Sequence, residues 1–182
     1  MKISKMLLIG ATEKHSGKTE LSTKIIKKFH AENDIIGIKA TISREGEGKK
    51  GFSITEEKNR TREKDTSRML TAGAKRVFWI KSDEKSVMDA LNNTLEQIPK
   101  DVFIVCESNS LRKYIEPAIF LMVSRDQSGE YKKTALQVIN YADIIIRSFE
   151  ESGIIKFKPN IENFLTVSKD KWILKFGDLK YE

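Results

Sequence analysis

An α/β fold, in which a mostly parallel central sheet is flanked by helices in three layers, is predicted by three features of this 182-residue chain. Six apolar runs of strand length recur along it, and most are continuous instead of alternating, as in strands buried on both faces. The stretches between them carry apolar residues at helical spacing. The first run leads through a short polar loop straight into such a helix, the strand–loop–helix order of a βαβ unit.

The runs are Met6 to Gly10, Ile35 to Ile42, Val77 to Ile80, Val102 to Cys106, Ala118 to Val123 and Asp143 to Ile146. Between the first two, Leu21, Ile25, Ile26 and Phe29 share one face of a helix from Lys18 to Ala31, with Lys24, Lys27 and Lys28 largely off it. Asp65 is placed to cap a helix that Gly73 closes. Val87, Leu91, Leu95 and Ile98 define another helix, ended by Pro99, and a further one is expected from Tyr131 to Tyr141. Two regions break the alternation. Positions 43–64 are polar, with Gly46, Gly48 and Gly51 close together, and read as a long surface loop, either a segment that orders on ligand binding or plain disorder. Positions 153–182 hold Phe157, Phe164, Trp172 and Phe176, too apolar for a free tail, and are expected to pack as terminal strands on the sheet edge or on a partner subunit. No repeat or linker divides the chain, so residues 1–182 read as one domain.

Composition narrows the function classes. With 39% hydrophobic and 32% charged residues, the chain resembles soluble globular proteins. No apolar run reaches the ~20 residues of a membrane-spanning helix. The single cysteine, Cys106, excludes an internal disulfide framework. The expectation is a reduced, cytoplasmic protein without a membrane partner. A net charge of +7 would suit nucleic acid. However, the lysines are scattered among Glu and Asp, as between Glu56 and Asp65, and read as a solvated surface without a nucleic-acid partner.

The loop after the first strand carries the chemistry. Thr12-Glu13-Lys14-His15-Ser16-Gly17-Lys18-Thr19 has the ending of a phosphate-binding P-loop, in the strand–loop–helix setting that gives the motif meaning. Gly17 lets the backbone approach phosphates, and successive N–H groups with the helix dipole favour an anion there. Residues Glu13 to Glu20 are therefore the candidate nucleotide contacts. Lys18 is expected to bridge β- and γ-phosphate oxygens, and the Thr19 hydroxyl to ligate Mg²⁺. The usual spacing would put glycine where this chain has Thr12, and the nearest glycine is Gly10. His15 reads as a loop-top residue.

A second metal ligand is normally a carboxylate closing a neighbouring buried strand. The run Asp101 to Glu107 has that form, making Glu107 the candidate, with Lys18 the other catalytic one. Asn109 could orient a water or a substrate group. Lys39, near the end of the second run, faces either a γ-phosphate or solvent, and Arg68 is a candidate anion contact. Ser124-Arg125-Asp126 could read a guanine through Asp126, although the full Asn-Lys-x-Asp pattern is missing.

Ser16-Gly17-Lys18-Thr19, Gly37-Ile38-Lys39, Asp65-Thr66-Ser67-Arg68 followed by Ala72-Gly73-Ala74, and Glu107-Ser108-Asn109-Ser110 together resemble the molybdopterin-guanine dinucleotide biosynthesis protein B family over roughly residues 5 to 126. The resemblance implies a P-loop NTPase fold, a homodimer and a GTP-binding accessory to the guanylyltransferase of the molybdopterin cofactor. It implies phosphate and Mg²⁺ contacts at Gly17, Lys18 and Thr19, with Glu107 on the metal side and Lys39 nearby. The chain departs from the family where Lys39 is followed by Ala-Thr-Ile-Ser instead of histidines, and where Ser-Asn-Ser follows Glu107 in place of glycine. The expected activity is slow, Mg²⁺-dependent hydrolysis of GTP or ATP. A small-molecule kinase and a non-catalytic regulatory module are the alternatives.

Overall fold

A computed structural model describes residues 1–43, 50–61, 63–125 and 131–175. Its main sheet has eight strands in the order β3-β4-β2-β5-β1-β6-β7-β8. They are β1 (Lys2–Ala11), β2 (Ile35–Ser43), β3 (Phe52–Glu56), β4 (Arg76–Asp83), β5 (Phe103–Glu107), β6 (Glu116–Arg125), β7 (Ile144–Glu151) and β8 (Ile154–Lys158). The strands from β4 to β7 run parallel, and β3 and β8 close the two edges antiparallel. Each of the six apolar runs is a strand of this parallel core.

Continuous apolar strands alternate their side chains between two cores. Leu7, Ile9 and Val105 point to one face, under α1 (Lys18–Phe29) and α2 (Asp65–Thr71), whereas Met6, Leu8 and Cys106 point to the other, under α3 (Val87–Glu96). The burial of Leu21, Ile25 and Ile26 confirms the predicted face of α1. Gly10 is required by close packing, since a Cβ there would stand 2.9 Å from Asn109 Oδ1 and 3.0 Å from the Phe120 ring.

Four expectations are corrected. Within the expected loop at 43–64, residues 52–56 form β3, paired in register with β4 from Phe52↔Ser82 to Glu56↔Phe78. Phe52 and Ile54 alternate with polar residues, the period of an edge strand, and Ile54 packs on the second core. The remainder of that expectation at 44–49 and 62 lies outside the described residues. Secondly, the helix expected from Tyr131 to Tyr141 is only one turn, α4 (Lys133–Leu136), followed by a 3₁₀ turn at Ile139–Tyr141. Thirdly, Asp65 does not cap α2. Lys64 occupies the cap position and Asp65 the first helical one, where its carboxylate is taken by Lys39. Fourthly, the C-terminal segment divides within residues 153–175, and the part of that expectation at 176–182, with Phe176, lies outside the described residues. β8 joins the sheet edge as expected, whereas β9 (Leu165–Ser168) and β10 (Lys171–Leu174) form a separate hairpin across the face of the sheet. Trp172 anchors that hairpin, stacked edge-on against Phe29 and Phe103 at 5.2 and 5.6 Å, with Nε1 donating to the Lys5 carbonyl at 3.1 Å. Among the described residues no helix is long and apolar enough to cross a membrane.

Candidate functional site

The carboxyl ends of β1, β2 and β5 open on one cleft of about 580 Å³, the place where open parallel sheets bind ligands. The loop after β1 lines it with Glu13, His15, Ser16 and Gly17. The left-handed backbone that such a turn requires falls on His15 (φ 60°) and Gly17 (φ 87°), and Gly17 stands at the N-cap of α1. No positive φ occurs at Thr12, so glycine is not needed there. Instead Thr12 is fully buried, its N–H donates to the Val123 carbonyl at 2.9 Å, and its hydroxyl donates to Ser124 Oγ at 3.1 Å. The residue that replaces the usual glycine thus extends the β1–β6 ladder. Ser16 Oγ donates to the Glu13 carbonyl at 2.8 Å, tightening the turn, while Glu13 Oε1 accepts from the Arg125 N–H at 2.5 Å. A Cβ on Gly17 would stand 2.9 Å from Ile155, so the loop is also packed from outside by β8.

Glu107 ends β5 at 3% exposure. Its two oxygens accept from Thr19 Oγ1 at 3.1 Å and Ser22 Oγ at 2.5 Å. Burial pushes its carboxyl above the ordinary value, opposed by the nearby Lys18 ammonium and these two hydroxyls. The expected pair of Thr19 and Glu107 therefore meets, although 88 residues separate the two. The adjacent Cys106 thiol is buried and pushed far above its usual range by that burial, a small hydrophobe of the second core.

The wall formed by β2 and α2 holds paired charges. Lys39 Nζ lies 2.5 Å from Asp65 Oδ2 and 5.2 Å from the centroid of the Trp79 ring. Burial raises the Asp65 carboxyl, but Lys39, Thr19 and Arg68 together bring it below the usual value. Arg68 NH2 lies 2.5 Å from Glu20 Oε2. Of the expected contacts, Glu13, His15, Ser16, Gly17, Lys18, Thr19, Glu20, Lys39, Arg68, Glu107 and Asn109 line the cleft. Lys14 is exposed and does not. Asn109 has a different task from the one expected. Its amide forms a two-way clamp with Ala11, accepting from the N–H and donating to the carbonyl at 2.8 Å each, which ties the end of β1 to the turn after β5. Asp126 lies outside the described residues.

The sequence reading missed five contributors. Ser22 follows Thr19 by three residues on α1, and that helical spacing could have revealed it. Asp65 was visible in its string but looked like a cap. Lys132, Thr134 and Ile155 enter the cleft through long-range topology and carry no local signal. The chain matches no known family, no curated protein and no solved structure.

Proposed function

We propose that this chain is a P-loop NTPase that binds GTP or ATP with Mg²⁺ and hydrolyses it slowly, acting as an accessory factor in molybdopterin guanine dinucleotide assembly. The observation that carries the nucleotide reading is the 3.1 Å contact between Thr19 and Glu107 behind a loop turned at Gly17. A hydroxyl at the start of a helix and a buried carboxylate on the adjacent strand are the protein groups that hold a phosphate-bound Mg²⁺. The donor set fits that ion: both ligands are oxygens, and the buried acid is placed where a cation would offset its desolvation. Mg²⁺ bound there would neutralise charge on the phosphate oxygens.

In this reading the N–H groups of the first turn of α1, which a helix leaves without intrahelical partners, hold the phosphates. Lys18 spans the outer phosphate oxygens. Glu107 accepts from the Thr19 hydroxyl and is itself held by Ser22. Among the described residues lining the cleft there is no glutamine to orient an attacking water, and Arg68 is engaged by Glu20. Slow turnover follows, with a partner able to supply the missing group. The pathway, the homodimer and the guanylyltransferase partner rest on the resemblance of the Asp65–Arg68 and Ala72–Ala74 strings. The cleft continues past Lys39 to Thr41, Ile42 and Ser110, and that space favours a small-molecule kinase as the second reading.

Calorimetric titration with GTP and ATP, with and without Mg²⁺, tests the proposal. Mg²⁺-dependent binding that is lost in Lys18→Ala is expected, and no binding of either nucleotide overturns it. Equal weak binding of both removes the guanine assignment. A phosphorylated product that forms only with an added acceptor would establish the kinase.

A further inference from the structure

Four acids and four permanent cations line the cleft, and their pairing is uneven. Glu20 holds Arg68, Asp65 holds Lys39, Glu107 accepts two hydroxyls and Glu13 accepts the Arg125 amide. Lys18 and Lys132 are different: no described residue forms a salt bridge with either or accepts a hydrogen bond from either ammonium. Lys132 belongs to a separate element from the loop. It lies just after β6, and its backbone N–H donates to the Thr12 carbonyl at 2.8 Å, which fixes its position beside the phosphate loop. It is half-buried, and its ammonium is held below the usual lysine range by that burial and by the positive charges of Lys18 and Lys14, which outweigh the opposing charge of the Glu13 carboxylate. An ammonium kept partly out of water beside two others, with Glu13 near enough to act on its charge but in no ion pair with it, is costly unless an anion completes it.

We propose that Lys132 is a phosphate-contact residue, a second ammonium that grips the polyphosphate chain of the ligand opposite Lys18. This rests on the phosphate-loop reading and assigns to it a residue that lies outside the loop motif. The bound group is a linear polyphosphate, because two ammonium groups brought from separate elements to one cleft can each meet a different phosphate of such a chain. A nucleoside triphosphate and inorganic tripolyphosphate share that chemistry, and the experiment separates them.

The full chain is titrated with inorganic tripolyphosphate, GTP and ATP in parallel, as the parent protein and as Lys132→Met, Lys132→Arg and Lys133→Met. Lys132→Met keeps the length of the stem and removes only the charge. At least tenfold weaker binding of tripolyphosphate and of the preferred nucleotide is expected for Lys132→Met, within threefold of the parent for Lys132→Arg, and unchanged binding for the exposed Lys133→Met. The melting temperature of Lys132→Met should equal or exceed that of the parent, since a repulsion is relieved, which separates lost binding from lost folding. Binding by Lys132→Met within twofold of the parent, or an equal loss in Lys133→Met, overturns the assignment while leaving the nucleotide reading intact. Parent protein that binds tripolyphosphate through Lys132 but no nucleotide sinks the nucleotide reading alone. Parent protein that binds none of the three overturns both.

Discussion

The two walls of the cleft treat positive charge in opposite ways. On the β2 and α2 wall, Lys39 and Arg68 each have a carboxylate at 2.5 Å. On the loop side, Lys18 and Lys132 have no such partner among the described residues. A paired cation is already satisfied and its ammonium or guanidinium must leave an ion pair to meet a ligand, whereas one outside any ion pair can meet an arriving anion without breaking one. In the proposed function the loop side receives the charge of the ligand and the opposite wall keeps its own groups in place. Anion affinity should reside on the first and positioning on the second.

The largest effect expected is on the loop side. Lys18→Ala should weaken nucleoside triphosphate binding by roughly 100-fold, as removal of about 3 kcal/mol of charge-assisted bonding does, and calorimetry reads it directly. Gly17→Val comes next, because a side chain there is strained at φ 87° and meets Ile155. A loss of roughly 2 kcal/mol in unfolding free energy is expected from denaturant titration, together with loss of nucleotide binding.

Glu107→Gln should separate stability from metal response. Burial raises the folded carboxyl above its unfolded value near 4.5, so the folded state binds the proton more tightly. Ionising this group therefore costs stability as pH rises from about 4.5 through the folded value, and the cost persists above it. The melting temperature of Glu107→Gln relative to the parent should climb over that range, while Mg²⁺ no longer enhances nucleotide affinity. A flat difference between pH 4.5 and 8 would contradict the assignment of a desolvated acid.

The smallest effect belongs to the paired wall. Arg68 and Glu20 side chains are each about a third exposed, and a double-mutant cycle on them should give a coupling of only about 0.5 kcal/mol, with nucleotide affinity changed less than threefold in Arg68→Ala. A tenfold loss would erase the distinction between the walls and place Arg68 on the ligand.

How much of this was legible depends on how local each signal is. The six core strands were readable because continuous apolar runs leave few alternatives, and the face of α1 because its spacing is helical. β3 was hidden by the glycines before it, which weigh more in a local reading than the alternation of Phe52 and Ile54. Asp65 was misread for a related reason. An aspartate at a helix start suggests a cap, and only the juxtaposition of β2 with α2 shows that Lys39 takes it. Asn109 stood beside the acid in sequence and suggested chemistry, whereas the approach of β1 turned its amide into a clamp.

The sequence by itself determined the α/β alternation, the turn from β1 through Gly17 into α1 and the acid at the end of β5, because each is written in contiguous residues. Tertiary structure alone decided which charges are paired. That Lys39 is neutralised by Asp65 and Arg68 by Glu20, while Lys132 arrives beside Lys18 in no ion pair with a described residue, depends on which strand ends lie side by side. Ion pairing acts over a few ångströms in space, and the chain order of these residues carries no record of that distance.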